Sequence, residues 1–125
     1  MLSTNNEIIY NYAKDVYEGK IEMNSAVETL KTEYLMNRTS AVHYINAYKC
    51  MRLGKVYKRA MNKGVTKYFL EKIYQEEGKV ELEKALRSVF AHLKYYESFP
   101  KHGKLRSIRK ICEQYYEMIN DDIMQ

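Results

Sequence analysis

The chain has 125 residues, with 21 Lys and Arg against 16 Asp and Glu, a net charge of +5, and 46% hydrophobic residues. That length bounds it to one domain, or two only if both are very small, and the composition belongs to a folded protein rather than a disordered tail. One proline and five glycines exclude a collagen-like chain, and no apolar run approaches the ~20 residues of a membrane helix.

The first six residues, Met1 to Asn6, lack a basic region followed by an apolar stretch, so no secretory leader is expected. Two cysteines, Cys50 and Cys112, are too few for a metal cluster or a disulfide framework. A reducing cytoplasm is expected, with no cofactor and no metal.

Taken in chain order, every segment reads as helix. The first, about Asn5 to Glu18, places Ile8, Ile9, Tyr12, Ala13 and Val16 at helical spacing and stops at Gly19. The second opens on Ser25-Ala26-Val27-Glu28, a capping-box pattern, with Ala26, Val27, Leu30 and Tyr34 as its apolar face. A break at residues 35–39, without a glycine, precedes a third helix from about Ser40 to Leu53. Its inward residues are Ala41, Val42, Ile45 and Tyr48, and it ends at Gly54.

Residues 55–63 are basic and not clearly periodic, which predicts a loop with at most one helical turn. The fourth helix, about Val65 to Glu77, carries Phe69, Leu70 and Ile73. The fifth, about Val80 to Ser98, has the clearest stripe, Leu82, Leu86, Val89, Phe90, Leu93 and Tyr96, and ends ahead of Pro100. The sixth, about Lys104 to Asn120, aligns Leu105, Ile108, Ile111, Cys112, Tyr115 and Ile119. The expected fold is all-α: residues 1–125 as a single compact bundle of five or six helices, with a helix-turn-helix-like pair near residues 25–53.

The charge is localised. Residues 1–34 carry three bases and six acids, and residues 69–125 carry ten of each. Residues 35–68 hold Arg38, Lys49, Arg52, Lys55, Lys58, Arg59, Lys63 and Lys67 with no acid. A smaller cluster, Lys101, His102, Lys104, Arg106, Arg109 and Lys110, follows. A concentrated run of cations suits a polyanion, because each Lys or Arg placed on a phosphate releases condensed counterions.

In a helix-turn-helix, the N-terminal residues of the second helix meet base edges. Here these would be Arg38, Thr39, Ser40, His43 and Ala47, with Asn46 and Lys49 at the rim. Phosphate contact would fall to Lys49, Arg52, Lys55, Lys58, Lys63 and Lys67, and Arg59 would reach a base or groove. Tyr57 between Lys55, Lys58 and Arg59 interleaves a ring with charge, as stacking on a base requires. Tyr95-Tyr96 and Tyr115-Tyr116 read instead as boundary residues, ring buried and hydroxyl wet.

Enzyme signatures are few: there is no H-E-x-x-H, no phosphate-binding glycine loop and no C-x-x-C. His43 and Cys50 lie seven residues apart on one helix, about 10.5 Å of rise, too far for a nucleophile and its base. The spacings Arg38-x4-His43 and Arg87-x4-His92 resemble the Arg-x4–6-His signature of the HEPN ribonucleases. His92, on an apolar stripe, reads as a core histidine.

Residues 37–97 also carry Asn37, Ser40-Ala41, Tyr44-Ile45-Asn46, Gly54, Tyr57, Arg59, Thr66, Tyr68-Phe69-Leu70 and Ile73. They continue with Leu82, Ala85-Leu86, His92 and Tyr95-Tyr96-Glu97. This spacing resembles a helical module of prokaryotic restriction-type defence proteins, often found N-terminal to an HNH nuclease domain. The resemblance implies a DNA-associated module in a bacterial or phage defence setting. With three isolated histidines the chain has no HNH motif, so cleavage is not implied. The leading expectation is a non-enzymatic module for nucleic acid, duplex DNA ahead of RNA, with a nuclease or other protein as a further partner and no membrane. The alternatives are an interaction module or small inhibitor that docks its basic face on an acidic protein, and a HEPN-like ribonuclease.

Overall fold

The structure, a computed structural model, describes residues 5–124; part of the leader expectation, at residues 1–4, lies outside them. Its described residues form six α-helices and no strand: α1 (Asn5–Tyr17), α2 (Met23–Glu33), α3 (Arg38–Leu53), α4 (Lys63–Glu77), α5 (Lys79–Glu97) and α6 (Arg106–Met124). No helix among them is long and apolar enough to cross a membrane. The chain divides into two compact units, residues 1–49 and 50–125, so the acid-free stretch 35–68 is shared between them.

In the first unit, α1 buries Ile9, Tyr10 and Ala13 and packs on α2, which buries Ala26, Val27 and Leu30. The end of α1 is closed by Gly19 at φ 78°, with Gly19 N–H donating to Val16 and Lys20 N–H to Asp15 at 2.8 Å. This paired return satisfies carbonyls the helix would otherwise leave open. Tyr48 of α3 is fully buried and meets the rings of Tyr10 and Tyr17 edge-on, at 5.5 and 5.9 Å. Tyrosine therefore supplies core volume here, not only a wet boundary.

Two helix starts differ from the expected ones. The Ser25/Glu28 capping box does not form: α2 begins at Met23, its cap position is Glu22, and Ser25 lies inside the helix. Glu28 is released from capping and pairs instead with Arg38 at 2.5 Å. Asn37 caps α3, its Oδ1 accepting from Ser40 N–H at 3.2 Å. Between them the chain turns through Leu35 at φ 55°, the left-handed position that glycine normally takes in such a break.

In the second unit, α4, α5 and α6 pack on one another in all three pairings. Asn62 Oδ1 caps α4 by accepting from Gly64 and Val65 N–H, which moves the start to Lys63. Gly78, at φ 88°, ends α4 and opens α5, a one-residue corner that an L side chain would strain. The core comprises Phe69, Leu70 and Ile73 of α4, Leu82, Leu86, Val89 and Leu93 of α5, and Ile108, Ile111, Cys112 and Ile119 of α6. Residues 55–62 contain no helical turn.

Candidate nucleic-acid interface

Helix α5 presents one row of residues, Glu81, Lys84, Ser88, His92 and Tyr95, spaced three or four apart and so aligned on one face. The chain from Arg52 to Lys58 runs along that row in the same direction. Arg52 Nε donates to Glu81 at 3.1 Å, and a Cβ on Gly54 would touch Lys84 at 3.7 Å. Ser88 Oγ donates to the Lys55 carbonyl and His92 Nδ1 lies on the Tyr57 carbonyl, both at 2.6 Å. Lys58 Nζ then sits 5.8 Å from the centre of the Tyr95 ring.

The register follows from two rises. Past the helix end at Gly54, the two steps from Lys55 to Tyr57 cover about 6.6 Å at 3.3 Å each, and the four steps from Ser88 to His92 rise about 6 Å. The basic loop is thus a strap clamped to α5, not a free segment.

The strap sorts its side chains. Lys55, Lys58 and Arg59 are exposed, as are Lys63 and Lys67 on the first turns of α4. None of these five pairs with a carboxylate among the described residues. Tyr57 corrects the expectation of an exposed stacking ring. It is 6% exposed and stacks on His92 at 4.3 Å and 14°, and burial raises the pKa of its phenol strongly. The α5 row demands an inward ring where the sequence shows only a basic loop.

Arg52 is likewise withdrawn from the phosphate set. Its side chain is 10% exposed and bridges Glu77 at 3.6 Å and Glu81 at 3.1 Å. Lys84 holds the Glu81 carboxyl below the usual range, against the opposing effect of burial and with further help from Arg52.

In the first unit, Lys49 is exposed, Ser40 and His43 are half-buried, and Arg38 is exposed but paired with Glu28. Ala47, expected at the DNA-facing side of α3, is buried. His92 is 1% exposed and lowered in pKa by burial, against the pull of the Tyr57 carbonyl. Arg87 is exposed, so the Arg87-x4-His92 pair does not present a histidine to a substrate. Burial pushes the Cys112 thiol up to about 12, far from a nucleophilic thiolate. No three His, Cys, Asp or Glu among the described residues gather where they could hold a metal ion.

The structure adds a second basic segment to the strap. Tyr95, the neighbour of Lys58, also meets Phe99 edge-on at 5.2 Å, and Phe99 lies 5.1 Å from His102. Strap and α5–α6 connection therefore share one ring. Around that connection, residues 84–112 contain eight Lys or Arg and a single acid, Glu97. Glu97 is occupied: it accepts from Leu105 N–H at 3.2 Å and from Arg109 at 2.6 Å. Those contacts outweigh the effect of burial and hold its pKa below the usual range.

The signal for this second window was present in the sequence. Glu71 to Glu83 on one side and Glu113 to Asp122 on the other cancel it in any average over the last third. Comparison with known proteins adds no constraint: no family model, no curated protein and no solved structure matches the chain.

Proposed function

We propose that the chain is a non-enzymatic nucleic-acid-binding module whose second unit holds the phosphate backbone through Lys55, Lys58, Arg59, Lys63 and Lys67. One observation carries this reading: five exposed cations without carboxylate partners among the described residues, three of them on a strap fastened to α5. Cations displayed on an ordered backbone lose less entropy on binding than the same residues on a free loop. Duplex recognition by α3 has weaker support, because Arg38 is paired, Ala47 is buried, and Ser40 and His43 are half-buried. The defence setting rests on the resemblance over residues 37–97.

Affinity measured across a salt series tests the proposal. Five phosphate contacts give a slope of log affinity against log salt of roughly −4.5 on a duplex or −3.5 on a single strand. Replacing Lys55, Lys58 and Arg59 with Glu should abolish most of that binding while leaving the helical spectrum unchanged. A flat salt response, or no binding at low salt, would overturn the proposal and favour an acidic protein as the partner.

A further inference from the structure

The α5–α6 connection is built as a ring shelf. Phe99-Pro100-Lys101-His102 forms a tight turn in which His102 N–H donates to the Phe99 carbonyl at 3.0 Å. Proline in its second position pre-sets the backbone angle such a turn needs. The turn sets the Phe99 and His102 rings side by side at 5.1 Å. Tyr95 supports Phe99 edge-on at 75°, and Tyr96 supports His102 in a stack at 4.4 Å.

Phe99 is nevertheless 42% exposed, a large apolar ring ordered by its neighbours and left facing water. Lys101 and Lys104 are exposed in the same connection, and Lys58 is placed against Tyr95. The only nearby acid in sequence, Glu97, is neutralised by Arg109.

An ordered aromatic face bordered by cations matches one polyanion better than others. A base offers a flat π-face and its own phosphate offers the charge, so both features are used together. In a duplex those faces are hidden in the stack. An acidic peptide would use the lysines and leave Phe99 without a role.

We infer that Phe99, backed by Tyr95 and flanked by His102, stacks on an unpaired base, and that this unit binds single-stranded nucleic acid with Lys58, Lys101 and Lys104 on the adjacent phosphates. The inference rests on the nucleic-acid reading above and names its ligand class.

Fluorescence anisotropy on the full chain tests it with four labelled ligands of equal length. These are a 12-nucleotide oligodeoxyuridylate, the matching oligouridylate, a strand of abasic phosphodiesters and a 12-base-pair duplex. One of the two base-bearing strands should bind roughly 5- to 100-fold tighter than the abasic strand; which one does so identifies the sugar. Phe99→Ala should remove that gap and leave abasic and duplex affinity within about twofold, whereas Phe99→Trp should preserve it. Circular dichroism confirms that the surface substitution leaves the helices intact.

Equal affinity for base-bearing and abasic strands, or a gap that survives Phe99→Ala, overturns the stacking inference while salt-dependent binding leaves the phosphate reading standing. Failure of all four ligands at low salt overturns both.

Discussion

Converting His92 to Phe isolates a single buried proton site. The imidazole is 1% exposed, its Nδ1 lies 2.6 Å from the Tyr57 carbonyl, and its Nε2 is buried without a hydrogen-bond partner among the described residues. Neutral His92 can donate from Nδ1 to that carbonyl. A second proton would place a charge and an unanswered donor at Nε2, consistent with the lowered pKa.

A histidine with a lowered folded pKa contributes its full stability above the unfolded value of 6.5. As pH falls below that value the unfolded chain takes up the proton first, and stability declines by at most about 1.4 kcal/mol per pH unit until the folded pKa is reached. Phenylalanine keeps a ring against Tyr57 and removes both the useful donor and the unanswered nitrogen. These effects oppose each other, so at pH 7.5 the variant should lie within about 1 kcal/mol of wild type.

Urea unfolding followed by far-ultraviolet circular dichroism at pH 7.5 and 5.5 measures the difference. With a denaturant slope of about 1–3 kcal/mol per molar, the wild-type midpoint should fall further than that of His92→Phe, by up to about 1.4 M. His43 and His102 are common to both proteins and cancel. Glu81 and Glu97, held below their ordinary 4.5, titrate below this window. Equal falls in the two proteins would refute the account of a neutral, buried His92 at the strap.

Two further substitutions test other parts of the fold. Leu35 holds φ 55° with its side chain 87% exposed, so Leu35→Gly should raise stability by about 0.5–1 kcal/mol in the same urea assay; a loss would mean that this side chain packs. Arg52→Gln should lower stability by about 1–3 kcal/mol by breaking the bridge to Glu77 and Glu81. Its nucleic-acid affinity should remain within twofold of wild type, whereas a large drop would return Arg52 to the phosphate set.

Much of the secondary structure is legible in the residues because helix periodicity is local. The apolar stripe of α5 and the stops at Gly19, Gly54 and Gly78 depend on neighbours within a turn or two. Helix starts were less secure, as at Ser25, because a capping box competes with any earlier residue from which the helix can begin. The exposed cations at Lys55, Lys58, Arg59, Lys63 and Lys67 followed from an acid-free run. The fates of Tyr57 and Arg52 within that run did not follow from it, since each is decided by a partner 29 to 35 residues away.

Periodicity and charge are written residue by residue, so the all-helical chain and the concentration of cations in its middle are legible without coordinates. Tertiary packing sets which of those cations face water. It laid the strap along α5, turned Tyr57 inward onto His92, engaged Arg52 with two glutamates, and brought Lys58 to the ring that also supports Phe99. The physical reason is the match between residues 55–57 and one turn of α5 from Ser88 to His92, a long-range fit that no local pattern encodes.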